Sequence, residues 1–282
     1  MNKKISRRKF IQYSASIGLG ALVTACNPSH LLQPTSISPL EESPEKIGTT
    51  IPPEDTGGFE SGLTVPPLLT NLEMVNFLET HEIKMGETSR RMVMMTYDDD
   101  GSPSEIESIL SAYRNHPGSK ATFFFIGDRL EICRKSIEKI VNEGHLLGCH
   151  GWHHVNFQLL PNNKINDQFE KFMHKLNEIL PGYVVQYFRL PFGAGVGDKR
   201  ILKIAAEWGL QHVFWTMGSN GLIPNTYKIV LEEVKNGSIV LSHMFRYYDY
   251  YEASKIVDGL IEKGFSLETV ASGIILQDRR PK

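Results

Sequence analysis

Three cysteines in 282 residues are too few for the disulfide framework of a small secreted scaffold. Cys26 lies at the end of an N-terminal apolar stretch, so the folded part is left with Cys133 and Cys149, which read as two unpaired thiols, although export permits a disulfide between them. Net charge is scarce as well. With 30 basic and 32 acidic residues the formal charge is -2, which gives no electrostatic case for binding nucleic acid. A membrane-spanning run is also missing, because the apolar and small-residue stretch Ile17 to Ala25 is too short to cross a bilayer. No internal repeat stands out, so a stacked-repeat architecture is not expected.

The N-terminus carries an export pattern. Ser6-Arg7-Arg8-Lys9-Phe10-Ile11 is a twin-arginine sequence ahead of the apolar stretch, although the arginine pair also fits a plain positively charged n-region. Leu22-Val23-Thr24-Ala25-Cys26 resembles a bacterial lipobox, which implies cleavage before Cys26 and its lipidation. The alternative is an ordinary cleavable signal with a cysteine behind it. Residues 27–67 are rich in Pro, Ser, Thr, Glu and Gly and cannot bury enough apolar surface to offset their conformational entropy. The expected organisation is a signal over 1–26, a disordered tether over 27–67 and one domain over 68–282. The expected location is a membrane-anchored lipoprotein facing the periplasm or cell exterior, touching the membrane only through Cys26.

That domain has room for a sizeable core, and the chain's 41% apolar and 22% charged residues are ordinary for a globular protein. Apolar runs predict strands at Met92–Thr96, Ala121–Ile126, His145–Cys149, Val184–Phe188, Gln211–Trp215 and Ser238–Leu241. Helical periodicity lies between or after them at Ser104–Tyr113, Ile132–Glu143, Asn166–Leu180, Lys199–Trp208 and Tyr251–Lys263. Such alternation predicts an α/β fold with a parallel sheet and outer helices, most economically a (β/α) barrel.

A polar cluster follows each of four strands, and together they suggest chemistry. His150 and His154 stand four residues apart, a spacing from which two imidazoles can converge on one ion. Asp98-Asp99-Asp100 ends the first strand and can supply a carboxylate. Two histidines and one carboxylate, with positions left open, is the donor set of a catalytic site. Arg189 and His243 follow two further strands. Singly, each of these residues is commonplace on a surface or in a core.

Thr96-Tyr97-Asp98-Asp99, His150-Gly151-Trp152-His153-His154, Arg189-Leu190-Pro191-Phe192-Gly193 and Leu241-Ser242-His243 occur in an order that resembles the polysaccharide deacetylases of the NodB-homology type, carbohydrate esterase family 4. The likeness runs from about Ile83 to Gly273. It implies a distorted (β/α) barrel with one divalent metal at its mouth, zinc first and cobalt, nickel or manganese as alternatives. It further implies Asp99, His150 and His154 as ligands, Asp98 as general base, Arg189 as its partner and His243 as general acid. Trp215 and Leu241 would bound the acetyl slot and Phe192 would lie beside the oxyanion. The partner would be an acetylated glycan, and the protein a monomer.

Several departures from the family pattern matter. The third acid leaves a second register open, with Asp99 as base and Asp100 as ligand. Gly151 stands where the family has Ser or Thr, and Cys149 where it has Asn. The fourth motif, usually Trp-x-x-Asp-x-x-Asp-Trp, is here Trp215-Thr216-Met217-Gly218-Ser219-Asn220-Gly221-Leu222. The acid that usually orients the last histidine is missing, which puts His243 in question. Three readings stay open: an N-deacetylase of envelope or extracellular glycans, an O-acetyl esterase of the xylan type, and a glycan-binding module on a decayed enzyme fold. The run Phe245 to Tyr251 either stacks on sugar rings or packs on the barrel.

Overall fold

Strand β1, Met92–Asp99, is buried at every position, as its unbroken apolar run requires of a strand covered on both faces. The coordinates are a computed structural model that describes residues 78–274. The arginine pair, Cys26 and the tether of residues 27–67 lie outside the described residues. Behind β1, Ser102 caps helix α1, Pro103–Arg114, in a capping box with Glu105, and Pro103 sits in the first turn. Both features fix where this helix starts.

The chain then continues as β2 (Thr122–Phe125), α2 (Arg134–Asn142), β3 (Leu146–Cys149), α3 (Asn162–Ile179), β4 (Tyr187–Phe188), α4 (Lys199–Glu207) and β5 (Gln211–His212). It closes with β6 (Met217–Gly218), α5 (Thr226–Glu233), β7 (Ser238–His243), α6 (Tyr247–Tyr251), α7 (Ala253–Glu262), β8 (Ser266–Leu267) and α8 (Val270–Gly273). Every strand pairing is parallel. The order across the sheet is β5-β4-β3-β2-β1-β7-β6, with β8 also paired to β1.

The two edge strands, β5 and β6, are consecutive in the chain and joined only by Val213 to Thr216. Laid flat, seven strands would put these edges about 29 Å apart. The linking residues reach at most about 18 Å. The sheet must therefore curl, and the expected distorted (β/α) barrel is borne out.

Curling divides the apolar residues into two sets by the period of two along each strand. Met94, Phe124, Tyr187, Val213 and Ile239 form a small cluster inside the curl. Val93, Met95, Tyr97, Phe123, Phe125 and Val240 face outward into a larger cluster with α1, α3, α4 and α7. Gly148 of β3 faces inward, where an added Cβ would lie 2.3 Å from the Phe124 ring, so no side chain fits. Cys133 and Cys149 are buried and unpaired, with Cys149 in the outer cluster. No helix among the described residues is long and apolar enough to cross a membrane.

Several boundaries differ from the sequence expectation. Helix α3 begins at Asn162, behind Pro161, rather than at Asn166, because the polar residues before Ile165 hide its first turn. Only Tyr187–Phe188 and Gln211–His212 pair as strands within the longer apolar runs expected there. The expected helix from Tyr251 is two helices, Tyr247–Tyr251 and Ala253–Glu262.

Candidate metal centre

The site lies at the C-terminal end of β1, where strict alternation would separate two adjacent acids. Met94 lies inside the curl, and Thr96 and Asp98 follow on the same face. Asp99 would then point to the outer layer. Its backbone instead takes the left-handed region at φ 77, an uncommon conformation for a side-chain-bearing residue, and its carboxylate comes round to the histidines. Asp100 lies beyond the strand, 4.0 Å from Arg129 Nε.

Asp99 Oδ1 lies 3.4 Å from His150 Nε2 and 3.3 Å from His154 Nε2. Those three residues offer donor atoms within 4.8 Å of one another. His150 Nδ1 lies 2.9 Å from the Arg189 carbonyl, which can only accept, so that nitrogen carries the proton and a neutral ring turns its Nε2 lone pair toward Asp99. Asp99 Oδ1 is buried and has no hydrogen-bond partner. Lone pairs converging on an orphaned buried oxygen are unfavourable unless a proton or a metal cation sits among them. Two nitrogens and one oxygen suit a zinc-like divalent ion. Without an ion, burial would raise the Asp99 carboxyl, but the protonated forms of His150, His154 and His243 outweigh it and hold it below its ordinary value, while burial at His150 is in turn outweighed by Asp98 and Asp99, which raise its pKa.

The loop carrying the histidines is tied down rather than helical. Gln168 Oε1 accepts from the Trp152 and His153 backbone N–H groups at 2.9 and 2.8 Å, and Gly127 N–H donates to the Gly151 carbonyl at 2.8 Å. Gly151 itself has φ +81, and an added Cβ would lie 3.0 Å from the Phe157 ring. The glycine in place of Ser or Thr thus answers a local backbone requirement. Cys149 Sγ accepts from the Gly151 N–H at 3.3 Å and faces away from the ligands as an apolar filler.

Asp98 sits beside this triad on a buried cationic platform. Arg189 is fully buried, and its Nη1 donates to Asp98 Oδ1 at 2.8 Å and to Thr96 Oγ1 at 2.6 Å. Its Nε and Nη2 donate to the Val213 and Phe214 carbonyls, both at 3.2 Å. The guanidinium also lies 4.4 Å from the centre of the Phe124 ring. Burial lowers the Arg189 pKa and Asp98 partly offsets this. Asp98 Oδ2 is left to the site, 3.9 Å from His150 Nε2.

On the other side, β7 pairs with β1 so that His243 stands in register with Asp98. His243 Nε2 is 4.0 Å from Asp99 Oδ2. Burial pulls the His243 pKa down to about 4. A carboxylate does lie behind it, though not where the sequence pointed. Asp249, from α6, is fully buried with Oδ2 at 3.9 Å from His243 Nδ1, and burial raises its carboxyl to about 6. Sequence reasoning passed over Asp249 because it sits in a tyrosine-rich run outside every motif. Gly221 was the available trace, since a Cβ there would lie 2.2 Å from Asp249 Cγ.

The remaining candidates line the mouth unequally. Phe192 is 68% exposed, has a left-handed backbone at φ 60 and holds its ring 4.2 Å from that of His154. Trp215 is partly buried, stacks on Phe214 at 4.0 Å and packs against the inner cluster. Leu241 is partly buried on the face of β7 that carries Ile239 and His243. Of the aromatic run, Tyr247 and Tyr251 stack at 5.0 Å and stay about half exposed, whereas Tyr250 packs on the outer core.

Residues 85–213 match the polysaccharide deacetylase family model. The match contains Asp98, Asp99, both histidines and Arg189, and it ends before Trp215 and His243. A peptidoglycan-N-acetylglucosamine deacetylase of Bacillus cereus is 30% identical over 165 residues, covering 56% of this chain and 58% of the relative. A chitooligosaccharide deacetylase of Azorhizobium caulinodans is 28% identical over 155 residues, covering 54% of this chain and 72% of the relative. Among solved structures, a peptidoglycan N-acetylglucosamine deacetylase superposes with a TM-score of 0.63 at 27% identity, over 68% of this chain and 92% of that one. A family 4 pseudoenzyme of Bacillus anthracis also reaches 0.63, at 22% identity and over 68% of each chain; that likeness concerns the fold alone. The chain thus spans less than two thirds of the Bacillus cereus relative.

Proposed function

We propose that this protein is a metal-dependent hydrolase that removes N-acetyl groups from cell-envelope or extracellular glycans of the N-acetylglucosamine and N-acetylmuramic acid type. The observation that carries the reading is the orphaned Asp99 Oδ1 facing His150 and His154 Nε2, with the Asp98–Arg189 pair on one side and His243 on the other. The names of the similar deacetylases support the substrate class.

A divalent ion held by Asp99, His150 and His154, with zinc first and cobalt, nickel or manganese as alternatives, would supply Lewis-acid polarisation of the acetyl carbonyl and acidify water. Asp98 Oδ2 is the atom that takes the proton from the attacking water. Arg189 donates to Oδ1 and keeps the carboxylate oriented for that step. On the opposite side His243, which must carry a proton on both ring nitrogens at that point, gives its Nε2 proton to the departing amine and keeps the one on Nδ1. Trp215 and Leu241 bound an apolar slot for the acetyl methyl. Phe192 stands over the approach, where backbone N–H groups can stabilise the oxyanion.

We take the unit to be a monomer. The export pattern and Cys26 support a lipid-anchored protein outside the cytoplasm. The O-acetyl esterase alternative drew on the better leaving group of an ester and the altered fourth motif; the nearness of Asp249 to His243 weighs against it. A test compares acetate release by the purified full chain, loaded with zinc, from an N-acetylglucosamine oligomer and from acetylated xylan. Release from the oligomer is expected; release from the xylan alone would overturn the proposal.

A further inference from the structure

We infer that Asp249 is the positioning residue for His243, filling from a different place in the chain the role left vacant by the altered fourth motif. This rests on the role of His243 proposed above.

The geometry is specific. His243 donates its own backbone N–H to Asp249 Oδ2 at 2.8 Å, so the carboxylate is anchored to the residue it serves. His243 Nδ1 is buried and has no hydrogen-bond partner, and Asp249 Oδ2 lies 3.9 Å from it. That distance is an electrostatic contact rather than a hydrogen bond. The opposite nitrogen, Nε2, faces the site, 4.0 Å from Asp99 Oδ2. A proton held on Nδ1 by Asp249 fixes the ring's orientation and leaves Nε2 as the nitrogen that takes up a second proton from solvent and hands it to the departing amine.

The segment that lacks the acids has become the seat for this one. Ser219 Oγ donates to Asp249 Oδ1, from a position within the altered stretch Trp215 to Leu222. Two residues on, Gly221 accepts at its carbonyl from the Tyr248 N–H at 3.1 Å, tying down the start of α6. A Cβ on Gly221 would lie 2.2 Å from Asp249 Cγ and 2.3 and 2.5 Å from its two oxygens. Any side chain there would evict the carboxylate. Asp249 is also fully buried, and a buried carboxylate persists only where partners hold it.

The test exploits the leaving group. An amine must be protonated to depart, whereas an aryloxide departs unaided. Asp249→Asn in the zinc-loaded full chain should lower kcat on an N-acetylglucosamine oligomer by about 100-fold, the lower end of what proton transfer contributes, with KM little changed. On an aryl acetate the loss should stay within about 3-fold, set by the same leaving-group argument. Gly221→Ala, which removes no charge and displaces the carboxylate, should reproduce the split, and Asp249→Glu should restore part of the oligomer activity. Equal losses on both substrates, or no loss on either, would overturn the inference. Independently of turnover, nitrogen-15 shifts of His243 in the metal-free protein should place the proton on Nδ1 in the wild type and shift it toward Nε2 in Asp249→Ala. A wild-type proton on Nε2 would overturn the pairing. If the wild type releases no acetate at all, the deacetylase reading fails while these shifts still decide the pairing.

Discussion

The two banks of the mouth are built by different routes. On one bank β1, the loop after β3 and the residue after β4 bring Asp98, Asp99, His150, His154 and Arg189 together, all within the segment matched by the family model. On the other, the turn after β6, the end of β7 and α6 assemble Ser219, Gly221, His243 and Asp249, beyond the end of that match. The first bank can be read as a string of motifs. The second can be read only as a location in space: a carboxylate behind His243 can arrive from either side of β7 in the chain. A missing motif residue is therefore not a missing group.

The largest expected effect separates the banks by stability. Arg189→Met leaves Asp98 buried without its partner and frees two backbone carbonyls, and should cost about 3–5 kcal/mol. Asp249→Asn should cost far less near neutral pH, because burial already disfavours the Asp249 carboxylate. Comparable losses for the two variants in chemical denaturation would break the distinction.

Next comes the dependence on pH in the metal-free protein. The Asp249 carboxyl is raised to about 6 from 3.8. The fold therefore binds its proton more tightly than the unfolded chain does, and this contribution is full below pH 3.8 and lost as pH rises through 6. His145, an outer-layer histidine whose Nδ1 accepts from the Ala121 N–H at 3.0 Å, is lowered by burial to about 4 from 6.5. Its contribution runs the other way: full above 6.5 and lost as pH falls through 4. Each shift corresponds to about 3 kcal/mol at most. Asp249→Asn should accordingly make stability climb more steeply between pH 4 and 6.5 than in the wild type. An unchanged slope would contradict the buried, raised carboxyl.

A smaller effect probes the first bank's departure from the family pattern. Gly151→Ser restores the family's hydroxyl but puts a side chain at φ +81 against Phe157, and should destabilise by about 1–3 kcal/mol. A stabilised variant would show that the loop relaxes freely. The smallest effect lies on the rim of the second bank. Tyr247→Ala removes one ring of the exposed Tyr247–Tyr251 stack and should raise KM several-fold, as for loss of about 1 kcal/mol of stacking, on a glycan polymer while leaving aryl acetate turnover unchanged. Equal effects on both would remove the platform from glycan binding.

Much of the architecture was legible because periodicity carries it. The runs at β1, β2, β3 and β7 and the helices between them have strong patterns, and their alternation implies the barrel. Two-residue strands such as β6 and β8 have no period to detect, and α5 is hidden behind Asn225, whose left-handed backbone marks no boundary in the sequence. The His150–His154 spacing suggested an ion, but the inward turn of Asp99 did not follow from its place on a strand. Asp249 was least legible, since its position depends on the space Gly221 leaves open rather than on any neighbour in sequence.

The most direct test of a metal-dependent hydrolytic site is acetate release from an N-acetylglucosamine oligomer by the full chain, before and after chelation and on return of zinc, beside Asp98→Asn with its zinc content measured. Release should stop on chelation, return with the ion and be about 100- to 10,000-fold lower in Asp98→Asn, which should still take up the ion. Release that survives complete chelation, or wild-type turnover by zinc-loaded Asp98→Asn, would contradict the account.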